Sequence, residues 1–113
     1  MKIYHNNRCK KSRDTLEMIK KKTSKFQIIE YLKKPLQFKE LKLIILKLNI
    51  KAIDIVRTQE SIWKEKYKNK KMSDDDIIYA IIKYPNLMQR PIVTTNKKAI
   101  IGRPPENVLN LIN

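Results

Sequence analysis

Residues 2–31 read KIYHNNRCKKSRDTLEMIKKKTSKFQIIEY, and this stretch switches between two periodicities. Lys2 to His5 is a short β-like run that ends in the polar loop His5-Asn6-Asn7-Arg8. From Cys9 onward the pattern turns helical, with Leu16 and Ile19, and beside them Thr15 and Met18, spaced along one apolar flank. The cations Lys20 to Lys22 suit a helix C-terminus, and Thr23-Ser24 closes the segment. Phe26 to Tyr31 returns to strand character. The stretch is therefore a β-α-β unit, which within one sheet implies a parallel pair joined by a right-handed crossover.

Beyond Tyr31, Pro35 ends the exit loop and a helical block follows. Leu41, Ile44, Ile45 and Leu48 obey the spacing of an amphipathic helix. A shorter turn is expected over Ala52 to Val56, and a further segment carries Ile62, Trp63 and Tyr67. Ser73 before Asp74, Asp75 and Asp76 is a helix start, a cap with acids in the first turn. Ile77, Ile78, Ile81 and Ile82 give that helix its apolar stripe, and Pro85 stops it. Pro91 to Thr95 and Lys98 to Ile101, joined at Asn96-Lys97, read as a hairpin. Gly102-Arg103-Pro104-Pro105 breaks it, and Glu106 to Ile112 forms a last helix with Val108, Leu109 and Ile112 on one face. The order predicts an α/β sandwich: β-α-β, a helical insertion at about 36–84, then β-β-α around a mixed four-stranded sheet. At 113 residues the chain is one ordinary domain, spanning 1–113 with its insert inside it.

Composition narrows the function classes. Apolar residues make up 42% of the chain, enough for a core despite a formal charge of +15. No apolar run approaches the ~20 residues of a membrane span. Met1 to Asn6 has no apolar stretch of signal-peptide length, so a cytoplasmic, monomeric protein away from membranes is expected. Of the 26 cations 21 are Lys and 5 are Arg, and the lysines are scattered among abundant Ile and Asn, residues with A- and T-rich codons. A reader of bases would concentrate Arg forks or stacked aromatics on one element. The charge is read as a solvated surface, with no specific nucleic-acid partner. One cysteine excludes an internal disulfide framework and a structural zinc cluster.

That cysteine is the chemical focus. Cys9 stands at a strand–loop–helix junction, where free N–H groups and the helix dipole favour a thiolate over a thiol. Arg8, Lys10, Lys11 and Arg13 add positive charge in the same direction, and His5, the single histidine, is four residues back. A structural cysteine would sit on an apolar face, whereas this one lies in a polar, cationic loop. The same N–H groups suit an oxyanion. Ser12 is placed either to donate to the sulfur or simply to serve as a first-turn cap residue. With no second cysteine at Ser12, disulfide chemistry must borrow an outside thiol. In so Lys-rich a chain Arg8, Arg13, Arg57, Arg90 and Arg103 stand out, since a planar fork grips an oxyanion in a way Lys does not reproduce. Sequence alone leaves open whether they converge or form scattered surface pairs.

His5-Asn6-Asn7-Arg8-Cys9-Lys10-Lys11-Ser12-Arg13-Asp14-Thr15-Leu16 resembles the opening motif of the glutaredoxin-dependent arsenate reductase family, H-N-P-x-C-x-x-S-R-x-T-L. Arg90-Pro91-Ile92-Val93, Ile101-Gly102-Arg103-Pro104-Pro105-Glu106 and Asp54-Ile55-Val56-Arg57 match further blocks in order and spacing. The resemblance implies a thioredoxin-like fold with a helical insertion. It makes Cys9 the nucleophile, Arg57, Arg90 and Arg103 the oxyanion-binding arginines, and Pro91 a cis-proline facing the cysteine. His5 corresponds to a residue close to the thiol, Arg13 belongs to the motif, and Ser12 replaces the second cysteine of dithiol relatives. One position departs: the motif's proline is Asn7 here, which would loosen the loop.

The activity so implied is reduction of arsenate to arsenite, with arsenate or a similar oxyanion as the bound partner. Glutathione would be co-substrate and glutaredoxin the partner, with no bound cofactor and no metal. Two alternatives accompany it: a related thiol oxidoreductase with another substrate, and an Spx-type regulator, whose usual C-x-x-C switch Ser12 removes.

Overall fold

A computed structural model describes residues 1–112; the side chain of Ile112, expected on a face with Val108 and Leu109, lies outside the described residues. The sheet is built around β1 (Lys2–Tyr4), in which Ile3 and Tyr4 are both buried although they point to opposite faces. Parallel to it runs β2 (Gln27–Ile29), with Ile3 opposite Ile28. On its other side β3 (Ile92–Thr94) is antiparallel, with Ile3 opposite Val93, and β4 (Ala99–Ile101) pairs β3 with Ile100 opposite Val93. The order β2-β1-β3-β4 is the mixed four-stranded sheet expected from the sequence. The strand foreseen over Phe26 to Tyr31 is shorter because the Glu30 carbonyl turns the chain, accepting from the N–H groups of Lys33 and Lys34.

The chain folds as two compact units, one of Met1–Lys34 with the chain from Arg90 onward, the other Pro35–Gln89. In the first, α1 (Lys10–Lys22) lies over the sheet. Ile3 and Val93 of the strands cluster with Leu16 and Ile19 of α1 and Val108 of the C-terminal segment. Burial of each such side chain contributes about 1.5–3 kcal/mol relative to leaving it in water. The last segment is not one continuous α-helix from Glu106. It begins as a 3-10 turn over Pro105–Val108 and becomes α5 at Leu109–Ile112. Pro104 before it and Pro105 at its first position lack N–H donors, and Asn107 uses its side chain to bond the carbonyls of Ile101 and Arg103.

The second unit is helical, as expected. α2 (Phe38–Leu48) and α4 (Asp74–Lys83) pack together, with the Phe38 and Tyr79 rings 4.8 Å apart and Lys42 paired to Asp75. Between them lie a 3-10 turn at Ala52–Ile55 and the short α3 (Ser61–Lys66). Ser73 caps α4 by accepting from the Asp76 N–H, while the Asp76 carboxylate accepts from the Ser73 N–H. Ile77, Ile78 and Ile81 are buried, and after Lys83 the chain passes into a 3-10 turn at Pro85–Leu87. A bridge between Val56 and Met88 closes this unit. Among the described residues, no helix is long and apolar enough to cross a membrane.

Candidate active site

Cys9 is the N-cap of α1, with extended backbone, and its carbonyl accepts from the Arg13 N–H at 3.0 Å. The loop before it is a tight turn. The Cys9 N–H donates to the Asn6 carbonyl at 3.0 Å, and the Asn6 side-chain oxygen accepts from the Arg8 N–H at 3.0 Å. This geometry leaves the sulfur half-exposed at the helix mouth. Partial burial raises the thiol pKa and is the largest single influence. The Ser12 N–H, the Arg90 guanidinium and the Lys11 N–H together outweigh it, so the pKa is lowered from its ordinary value. The thiol closes no full capping bond. The stabilisation therefore comes from aligned N–H dipoles and a nearby cation, and it acts on the anion.

Arg90 and Arg103 bracket the β3–β4 hairpin. Arg103 Nη1 donates to the Arg90 carbonyl at 3.2 Å, which ties the second guanidinium to the residue whose own guanidinium faces Cys9. The Arg90–Pro91 bond is cis, and so is Arg103–Pro104. The Pro91 carbonyl accepts from the Gly102 N–H at 2.9 Å. Thr15 of α1 completes this junction. Its hydroxyl lies 2.8 Å from the Lys11 carbonyl and 3.4 Å from that of Gly102. A helix turn, a cis-proline and a glycine thus meet at one junction, and the Arg90 fork reaches the thiol.

A family model described as the ArsC family matches residues 4–111. The chain belongs to the ArsC family. It is 41% identical over 115 residues to the uncharacterized protein YfgD of Escherichia coli K12, covering 99% of this chain and 96% of that protein. An arsenate reductase of Neisseria meningitidis serogroup A is 37% identical, covering 96% of this chain and 94% of the relative. Among solved structures, the arsenate reductase from Vibrio cholerae superposes with a TM-score of 0.92 at 37% identity, over 100% of this chain and 98% of that one. The fold is thioredoxin-like, as the motif resemblance implied.

Of the ArsC-type residues singled out in the sequence, Cys9, Arg90, Arg103, Pro91, His5, Ser12 and Arg13 all lie in the first unit. The donor role considered for the Ser12 hydroxyl is not the one it has. Fully buried, it sits 2.7 Å from His5 Nδ1 and accepts from the Asn6 N–H at 3.1 Å, so the backbone N–H of Ser12, not its side chain, serves the sulfur. Arg13 braces the loop by donating to the Asn7 carbonyl at 3.0 Å. Lys10 is drawn into an exposed pair with Asp14 at 3.3 Å.

Arg57 belongs to the second unit. There its N–H donates to the Leu87 carbonyl and its Nη1 lies 3.3 Å from a Glu60 carboxylate oxygen. Sequence reasoning gave no part in the site to Asn6, Thr15 or Gly102, although the chain's single glycine is a readable sign of close approach in so glycine-poor a composition. Among the described residues no three His, Cys, Asp or Glu side chains group to hold a metal ion.

Proposed function

We propose that the chain reduces arsenate to arsenite with Cys9 as nucleophile. The observation that carries this reading is a thiol at a helix N-cap position whose pKa is lowered against its own burial, with Arg90 on the sulfur and Arg103 tied to Arg90. The arsenate reductases among its ArsC relatives supply the substrate class. Arg90 and Arg103 hold the tetrahedral oxyanion and offset the charge that would repel a thiolate. Arg57 joins them in this reading on the strength of the motif resemblance alone.

The thiolate attacks arsenic, and an oxygen takes up a proton and leaves as water, giving a Cys9–S–As(V) adduct. A glutathione thiolate then attacks the Cys9 sulfur. The sulfur–arsenic bond breaks with its electron pair left on arsenic, which departs as arsenite, and a mixed disulfide remains on Cys9. With no second cysteine in the chain, glutaredoxin removes that glutathione from outside. On this reading the protein acts as a cytoplasmic monomer with a helical insertion at about 36–84 in one domain, without bound cofactor or metal.

The test is arsenate-dependent NADPH consumption with glutathione, glutaredoxin and glutathione reductase, in wild type and Cys9→Ser. Turnover lost in the variant supports the reading. Turnover that survives in Cys9→Ser removes the nucleophile. Absence of turnover in a wild type whose Cys9 still reacts with a disulfide probe moves the assignment to a thiol reductase with another substrate.

A further inference from the structure

The position where the motif has proline is occupied by Asn7, and its side chain is not idle. Asn7 Oδ1 lies 3.2 Å from His5 Nε2. On the other side of the same imidazole, Nδ1 is 2.7 Å from Ser12 Oγ, which also accepts from the Asn6 N–H at 3.1 Å. His5, Asn6 and Ser12 are all buried, whereas Asn7 is exposed.

The donors and acceptors admit one consistent arrangement for the neutral ring. A carboxamide oxygen only accepts, so Nε2 carries the proton. Nδ1 then accepts, and the Ser12 hydroxyl, already an acceptor from Asn6, directs its own proton to Nδ1. A chain of hydrogen bonds runs from the exposed carboxamide through the imidazole and the hydroxyl to the backbone of the loop. It passes through Ser12, the residue whose N–H faces the Cys9 sulfur, and ends on the Asn6 N–H. The Asn7 carbonyl is held as well, by Arg13 Nη1 at 3.0 Å. What proline would achieve by fixing φ, this loop achieves by bonds at both ends of one residue.

The geometry points to Asn7 as a positioning residue for the nucleophile: its carboxamide holds His5 in the Nε2–H form and so commits the Ser12 hydroxyl to the ring, bracing the first turn of α1 beneath Cys9. This rests on the proposed function only in taking Cys9 as the reacting group. The substrate does not enter.

The chain's single histidine makes the test clean, because a long-range 15N–1H spectrum of the whole protein contains one imidazole. In the neutral ring, wild type shows Nε2 protonated and Nδ1 not. In Asn7→Leu, an exposed substitution with no core to disturb, the Nδ1–H form gains about fivefold in population, the worth of one hydrogen bond. Asn7→Asp keeps an acceptor oxygen and keeps the wild-type tautomer.

Alkylation of Cys9 by iodoacetamide slows about two- to fivefold in Asn7→Leu, and the same change has little further effect once Ser12→Ala has cut the chain. An Nδ1–H ring in wild type, or a tautomer ratio indifferent to Asn7→Leu, overturns the assignment. Should wild type fail to turn over arsenate while the tautomer responds as described, the substrate reading falls and the role of Asn7 stands.

Discussion

Replacing Gly102 with alanine tests how tightly the site is assembled. The added Cβ would stand 2.9 Å from Pro91 Cγ, 2.9 Å from Thr15 Oγ1 and 3.1 Å from Thr15 Cγ2. Ordinary contact begins at 3.4 Å, so the new methyl is about 0.5 Å too close on two sides at once. Neither side yields easily. The proline ring is fixed to its backbone, and turning the β-branched threonine exchanges one obstructing atom for the other. Because the φ of Gly102 is not positive, the cost is one of space and not of backbone conformation.

Overpacking of this kind costs about 1–3 kcal/mol, and two unyielding neighbours place it in the upper half of that range. At roughly 3–6 °C per kcal/mol for a chain of this size, Tm falls by on the order of 10 °C in a thermal scan. Pro91 cannot move without Arg90, so alkylation of Cys9 at fixed pH should slow in the same variant. In a Thr15→Ala background, which removes both threonine atoms, the glycine substitution should cost about half as much. A Gly102→Ala protein melting within a degree of wild type would show that the junction has slack and that the packing argument is wrong.

Arg90→Lys keeps the charge but loses the fork, and arsenate turnover should drop about tenfold or more, the worth of one charge-assisted bond; equal turnover refutes the bidentate role. Because Arg90 favours the thiolate, Arg90→Ala should move the pH midpoint of Cys9 alkylation upward from a wild-type value below the ordinary free thiol, and an unmoved midpoint contradicts the electrostatic account. Ser12→Ala strands the His5 nitrogen and the buried Asn6 N–H and should cost about 2–4 kcal/mol by urea titration; near-neutrality would mean water replaces the hydroxyl. Ser73→Ala breaks the reciprocal cap of α4 and should cost about 1 kcal/mol while leaving Cys9 alkylation untouched.

The elements were legible where a local rule and the tertiary need coincide. Ser73 with its three aspartates announced α4, the alternation around Asn96-Lys97 announced the hairpin, and polar residues around Cys9 marked a helix mouth instead of a core. What the sequence concealed depends on where loops fold back. The Ser12 hydroxyl could be imagined pointing to sulfur, but only the turn at Asn6 to Cys9 brings the His5 ring and the Asn6 N–H onto it first. Likewise, the apolar spacing of Ala52–Ile55 and Pro105–Val108 does not distinguish a 3-10 turn from an α-helix over so few residues. Arg57 was legible as an unusual arginine in a lysine-rich chain, yet spacing along a chain says nothing of which groups a guanidinium meets.

The discontinuity of the first unit has a consequence for biosynthesis. Residues 35–89 are contiguous and pack among themselves, so they can organise as soon as they leave the ribosome. The strand at the centre of the sheet must wait, because β1 has β2 on one side and its other edge stays open until β3 is made. Cys9, emerging early, therefore spends most of synthesis without Arg90, beside an unpaired strand edge. The share of its reactivity that Arg90 supplies switches on only when the last stretch of chain closes the sheet, the same event that ends the exposure of the β1 edge to strand-mediated aggregation.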